Sequence, residues 1–168
     1  YVDSSACTLH NHAVKTNKAS LASASGGGGG LFVAAKGTAQ ISSGIISDNT
    51  ASAGDGGAVY VSADSTVTIA TAIVSANVAG NDGGGVFSTG VGSKVVATGT
   101  TVASNKAASG RGGGFAAMSG ASVNVTTGDT TSNEALKGGG FYVDSSACAL
   151  HNHAVKTNKA SLASASGG

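Results

Sequence analysis

A cluster of glycines followed by an apolar residue recurs five times along this chain, and it limits what the chain can fold into more than any other feature. The copies read Gly28-Gly29-Gly30-Leu31-Phe32-Val33, Gly56-Gly57-Ala58-Val59-Tyr60-Val61, Gly83-Gly84-Gly85-Val86-Phe87, Gly112-Gly113-Gly114-Phe115-Ala116 and Gly138-Gly139-Gly140-Phe141-Tyr142-Val143. They lie 28, 27, 29 and 26 residues apart, and the last unit runs 31 residues to the equivalent of Gly28, so five short units make a period of 141. The long period is also explicit: residues 1–27 recur as 142–168 with one difference in 27 positions, Thr8 against Ala149. Fixed-period self-similarity on this scale marks a solenoid or an array, in which each unit buries its apolar face only against its neighbours. Residues 1–168 therefore read as a single solenoid segment of a longer tandem array. It holds one long period plus an overlap, with coils starting near residues 28, 56, 83, 112 and 138.

A second landmark keeps the same register. Asn-x-Ala stands about twenty residues into every unit, at Asn17, Asn49, Asn77, Asn105, Asn133 and Asn158. Between the landmarks each unit has room for three short strands. In the unit from Gly56 these are Val59-Tyr60-Val61, Val67-Thr68-Ile69 and Ile73-Val74, with apolar residues alternating in the first two. No segment carries a capped helical stripe; the Ala-rich stretch 156–165 falls at the Asn-x-Ala turn, where tertiary context overrides helix propensity.

Three strands per unit and no helix predict an all-β fold, a right-handed parallel β-helix of about five coils per 141-residue repeat. Equivalent residues then stack in ladders at about 4.8 Å. The six asparagines form a buried structural ladder, each amide donating to the next amide oxygen while capping the bend. Phe32, Tyr60, Phe87 and Tyr142 form an aromatic stack, and the glycines, 18 of whose 28 lie in the clusters, serve the turns.

Composition narrows the function. Lys and Arg number 9 against 8 Asp and Glu, with charged residues at 10%, which argues against a nucleic-acid binder, since phosphate recognition needs a clustered basic surface. The apolar runs are short and broken by Ser, Thr or Gly, so no transmembrane helix is expected. There is no Trp or Pro and only seven aromatic residues, so the core must be built from small side chains in close-packed layers.

The Gly-Gly-Ala-Val of residues 56–59, with Ile46-x-x-Asn49, Val74-x-x-Asn77, Val102-x-x-Asn105 and Val155-x-x-Asn158, resembles the repeats of polymorphic outer membrane proteins and related β-helical adhesins. That family pairs a Gly-Gly-apolar motif with Phe-x-x-Asn; here Ile or Val, and once Thr130, replaces the Phe. The resemblance spans the chain and implies a β-helix in an extracellular or cell-surface setting.

Among reactive residues, Cys7 and Cys148 are one position in successive periods, five coils or about 24 Å apart, too far to pair within one fibre. Alternation through Cys148, Leu150 and Asn152 points inward. That leaves two roles open, a buried inert thiol or an inter-fibre cross-link. His10 with His12, and His151 with His153, place both imidazoles of each His-x-His on one face by alternation, without an obvious third ligand for a metal. Asn124-Val125-Thr126 is a glycosylation sequon within a strand, usable if its face is outward. The acids read as scattered, with Asp55 and Asp82 before glycine clusters and Arg111, the only arginine, likewise at a turn, so turn chemistry accounts for them without catalysis.

The sequence is therefore expected to be non-enzymatic, with no cofactor or metal. It reads as a structural repeat of an extracellular fibrous protein, forming the shaft of a surface filament or appendage. Its expected partners are other copies of itself end to end, with side-by-side packing and glycans left open. The alternative is an adhesin stalk or passenger that binds a host surface or glycans.

Overall fold

In the computed structural model, which describes residues 1–20 and 27–161, every glycine-to-glycine unit makes one turn of a parallel β-solenoid. The ends of the two duplicated segments, 21–26 and 162–168, lie outside the described residues, as does part of the Ala-rich stretch. Six rungs stack over about five turns, and every strand pairing between rungs is parallel. The third rung shows the plan. Val59–Val61 lies on the first sheet, Thr66–Ala70 and Ile73–Ser75 on the second, and Val78–Ala79 on the third.

The unit therefore holds a fourth strand beyond the three expected. The two residues after each ladder asparagine, taken above for a turn, pair with their equivalents in the next rung and build a narrow six-stranded third sheet. In the fourth and fifth rungs the two strands of the second sheet merge, as Lys94–Ala103 and Ser122–Thr131.

The corners are made by single residues in the left-handed region. One precedes every ladder asparagine: Thr16, Asp48, Ala76, Ser104, Ser132 and Thr157, with φ between 53° and 58°. Another bends the second sheet, at Asn11, Ser43, Thr71, Gly99, Thr127 and Asn152. A non-glycine residue there costs about 1–2 kcal/mol, so each corner must be held by the bonds around it.

The interior follows from alternation. Leu31, Val59, Val86 and Phe115 point inward from the first sheet, Ala39, Val67, Val95, Val123 and Ile41, Ile69, Ala97, Val125 from the second, and Ile46, Val74, Val102 from beyond the corner, forming one buried column after another. Side chains this small suffice because the glycine clusters let the backbone of adjacent rungs close in. A Cβ on Gly84 would collide with the carbonyl carbon of Lys106 and the carbonyl oxygen of Gly113. No helix among the described residues is long and apolar enough to cross a membrane.

Candidate functional site: the asparagine ladder and a charged column

The third corner carries the most regular chemistry in the molecule. At each step, the backbone N–H and the side-chain Nδ2 of one asparagine both donate to Oδ1 of the asparagine one rung on. The chain runs Asn17 to Asn49, Asn77, Asn105, Asn133 and Asn158, at 2.9–3.0 Å throughout. The second amide hydrogen turns back: Asn49, Asn77, Asn105, Asn133 and Asn158 donate to the carbonyls of Val14, Ile46, Val74, Val102 and Thr130. Each side chain thus touches both neighbouring rungs, and the four central asparagines are fully buried. Burial without these bonds would leave several polar groups unsatisfied per rung, so the ladder is what allows the left-handed residue before it to be kept.

The aromatic residues divide into two columns. Phe32, Tyr60 and Phe87 stack on the outer side of the first sheet with centroids 4.7 and 5.2 Å apart, and Tyr1 joins Phe32 at 5.1 Å. Tyr142 does not continue this stack. Ala116 occupies the intervening rung, in register with both Phe87 and Tyr142, so the expected stack is corrected: Phe32, Tyr60 and Phe87 stack together with Tyr1, and Tyr142 stands apart. Phe115 and Phe141 stack separately on the inner side, 4.9 Å apart and nearly parallel.

The gap beside Tyr142 is filled by Arg111, whose guanidinium carbon sits 4.9 Å from the ring centroid and whose Nη1 donates to Tyr142 Oη at 3.4 Å. The same guanidinium donates to Asp82 from Nε to Oδ1 at 3.2 Å and from Nη2 to Oδ2 at 2.8 Å, and the Arg111 backbone N–H adds a third bond to Oδ1 at 2.7 Å. One rung back, Asp55 Oδ1 accepts the Asp82 backbone N–H at 3.0 Å. Asp55, Asp82, Arg111 and Lys137, far apart in sequence, therefore line one open groove of about 640 Å³, with Asn81 and Ser109 at its side. Burial pushes the Asp55 carboxyl above its ordinary range, against the opposing effect of the hydrogen bond it accepts from the Asp82 backbone N–H. Hydrogen bonding to Asp82 holds the Arg111 proton more tightly still.

This column corrects the view of scattered acids at independent turns. The signal was present in the sequence, since all four residues stand immediately before a glycine cluster. A shared offset from the glycine clusters, and no chemical similarity, brings them together.

Cys7 lies in register with Ala39 and Cys148 with Val123, both in an interior column, and Cys7 packs against the core. Cys7 is half-buried, and Cys148 is exposed in the sixth rung. Burial raises the Cys148 thiol above its usual value. The two imidazoles of each His-x-His do not share a face, because the left-handed Asn11 and Asn152 break the alternation between them. His10 reaches outward, its Nδ1 2.8 Å from Ser42 Oγ, whereas His153 turns to the corner, its Nε2 2.8 Å from Thr130 Oγ1 and its ring edge-on to Phe141. No group of three or more His, Cys, Asp or Glu lies together among the described residues. Asn124 sits on the outer side of the second sheet between Val96 and Ala149, half-buried by them.

Fold and ladder together define the chain as a parallel β-solenoid. No protein-family model matches the sequence, and neither a curated protein nor a solved structure matches it.

Proposed function

We propose that this chain is a structural repeat of an extracellular fibrous protein, serving as the shaft of a surface filament or appendage. The observation that carries the reading is the asparagine ladder, which runs in one direction through all six rungs without interruption or change of partner. A continuous column of amide bonds parallel to the axis, beside parallel strand ladders, resists extension and bending along the whole length. A repeated shaft gains from identical periods, whereas a unique catalytic or binding centre needs one copy. The resemblance to polymorphic outer membrane protein repeats supports a cell-surface setting, and the reading assigns the chain no enzymatic role.

Electron cryo-microscopy of the native material tests it. The shaft reading expects extended filaments with a layer spacing near 4.8 Å and an axial repeat of about 24 Å, five rungs deep. Short particles that end in a separate domain would overturn it in favour of an adhesin stalk. The groove between Asp55, Asp82 and Arg111 gives that second reading its one specific support, since carboxylates, an amide and a guanidinium suit the hydroxyl groups of a glycan. A glycan-binding screen of the whole chain, repeated with Asp82→Ala, checks it.

A further inference from the structure

We propose that the groove running from Asp55 to Lys137 binds an acidic oligosaccharide lengthwise, with a sugar carboxylate on Lys137 and sugar hydroxyls on Asp55, Asn81 and Ser109. The inference rests on the glycan reading of this groove and names its ligand class. It does not compete with the shaft, which would carry one such groove in every 141-residue period.

The groove is a property of the stack and not of its ends, because none of its lining residues falls in the duplicated segments 1–27 and 142–168. Unequal corner loops create it. Between the third sheet and the next glycine cluster the chain takes up residues 52–55, 80–82, 108–111 and 136–137. The last loop is two residues shorter than the one before it. Its Leu136 N–H donates to the Gly110 carbonyl and Lys137 stands in register with Arg111, so no residue of the next rung stacks on Ala108 or Ser109. That step leaves the recess of about 640 Å³ open beside Ser109 and Asn81.

The polar groups along the groove are unevenly satisfied. Asp82 and Arg111 are taken up by one another, and the guanidinium also reaches Tyr142 Oη and Met118 Sδ. The charges left over stand at the two ends. Asp55 Oδ1 accepts the Asp82 N–H, but Oδ2 has no partner among the described residues, and the exposed Lys137 belongs to no ion pair among them. These ends are three rungs, about 14 Å, apart. Between them Asn81 donates one amide hydrogen to the Ala53 carbonyl at 3.2 Å, which leaves its Oδ1 and the exposed Ser109 hydroxyl for a ligand. The Lys137 end is positive beyond its own ammonium. In the third-sheet column that leads into it, Glu134 lies in register between Lys106 and Lys159, two cations against one carboxylate.

These groups select the ligand class. An open recess lined by carboxyl, amide and hydroxyl groups, with Leu136 as its one sizeable apolar side chain, suits a ligand that is hydroxylated along its length and binds partly through water. An unpaired ammonium at one end calls for an anion there, and a carboxylate makes the stronger, charge-assisted bond. A sugar chain with a carboxylate on one ring answers both demands.

Calorimetry on the full chain tests this, with short oligomers of mannuronate, galacturonate and hyaluronan, each beside its carboxyl methyl ester. The ester keeps every hydroxyl and removes the charge. At least one acid oligomer is expected to bind about tenfold more tightly than its ester. Lys137→Gln should remove that preference and Lys137→Arg restore it, whereas Lys94→Gln, at an exposed position of the second sheet, should change nothing. Acid and ester binding equally, both lost in Asp82→Ala, would overturn the acidic ligand and leave the groove a glycan site. Loss of the preference in Lys94→Gln as well as in Lys137→Gln would reveal diffuse attraction and overturn the site at Lys137. No binding by any of these compounds would overturn the proposal together with the glycan reading, and would leave the filament reading untouched.

Discussion

Asn77 and Asn105 are joined twice: the backbone N–H and the side-chain Nδ2 of Asn77 both donate to the one Oδ1 of Asn105, at 3.0 and 2.9 Å. Asn105 in turn donates to Asn133 Oδ1 and to the Val74 carbonyl, each at 3.0 Å, so a single buried amide satisfies groups in three rungs. Asn105→Ala strands both Asn77 donors and the Val74 carbonyl together, while Asn133 Oδ1 keeps the backbone N–H of residue 105. With each unsatisfied buried group worth about 1–3 kcal/mol, the variant is expected to lose about 3 kcal/mol or more in urea denaturation. Asn105→Asp keeps the acceptor but aims a carboxylate at two oxygens, and is expected to be at least as destabilised at neutral pH and to recover part of the loss in acid, where a protonated oxygen can donate. Asn17→Ala, at the first rung, removes one side-chain donor to Asn49 Oδ1, which still accepts the backbone N–H of residue 17, so a loss comparable to that of Asn105→Ala would refute the account.

The glycines divide sharply by what surrounds them. A methyl on Gly84 collides with backbone atoms of Lys106 and Gly113, which cannot move without opening the stack. Gly99, at φ 59°, has nothing closer than 3.9 Å, and its equivalents in other rungs are Thr71 and Thr127. Gly84→Ala is expected to cost about 3 kcal/mol or to prevent folding, and Gly99→Ala only about 1 kcal/mol from its left-handed backbone. Thermal melts of the two variants side by side decide it; equal losses would mean that the cluster serves turn conformation and not close approach.

How far the molecule was legible depended on whether a feature repeats. The glycine clusters and Asn-x-Ala motifs recur in every rung, so the parallel solenoid followed from spacing alone. Features that occur once per long period were less accessible. Alternation implied that His151 and His153 share a face, but a left-handed Asn152 between them reverses the sense of the count, and strand alternation carries no mark of such a corner. Tyr142 was grouped with Phe87 because both follow a glycine cluster, yet register inserts Ala116 between them. The charged column escaped for the opposite reason. Its members share a register position but not a residue type, and a pairing between Asp82 and Arg111 becomes visible only when successive rungs are laid over one another.

Asp55 makes the charged column sensitive to pH. Its folded-state value lies above the ordinary 3.8, chiefly through burial, so folding favours the protonated form. The stability this contributes is fully present below about pH 4 and is lost as pH rises through the folded-state value. Asp55→Asn imitates the protonated form and can still accept the Asp82 backbone N–H. It is expected to be more stable than the parent at pH 7 and to converge with it near pH 3. Urea midpoints across that range provide the check, and a parent that is the more stable at pH 7 would reverse the assignment.

Asp82 and Arg111 are held by two side-chain bonds in a fork, with the Arg111 backbone N–H as a third contact, but one side of the groove is open. The Asp82 side chain is 13% exposed and that of Arg111 35%, so water screens the pair on the arginine side while the carboxylate is largely enclosed. Exposed ion pairs contribute about 0.2–1 kcal/mol, and fork geometry with a ring beneath the guanidinium places this one at the upper end of that range. A double-mutant cycle of Asp82→Asn and Arg111→Gln should return a coupling of about 1 kcal/mol, and Arg111→Lys should recover little of it, because an ammonium cannot bridge both carboxylate oxygens and lie flat on Tyr142. Salt at about 1 M shortens the Debye length to about 3 Å, close to the bond lengths themselves, so the coupling should fall only in part. A coupling that vanished in salt would show that long-range attraction holds the column together and that the fork contributes nothing specific.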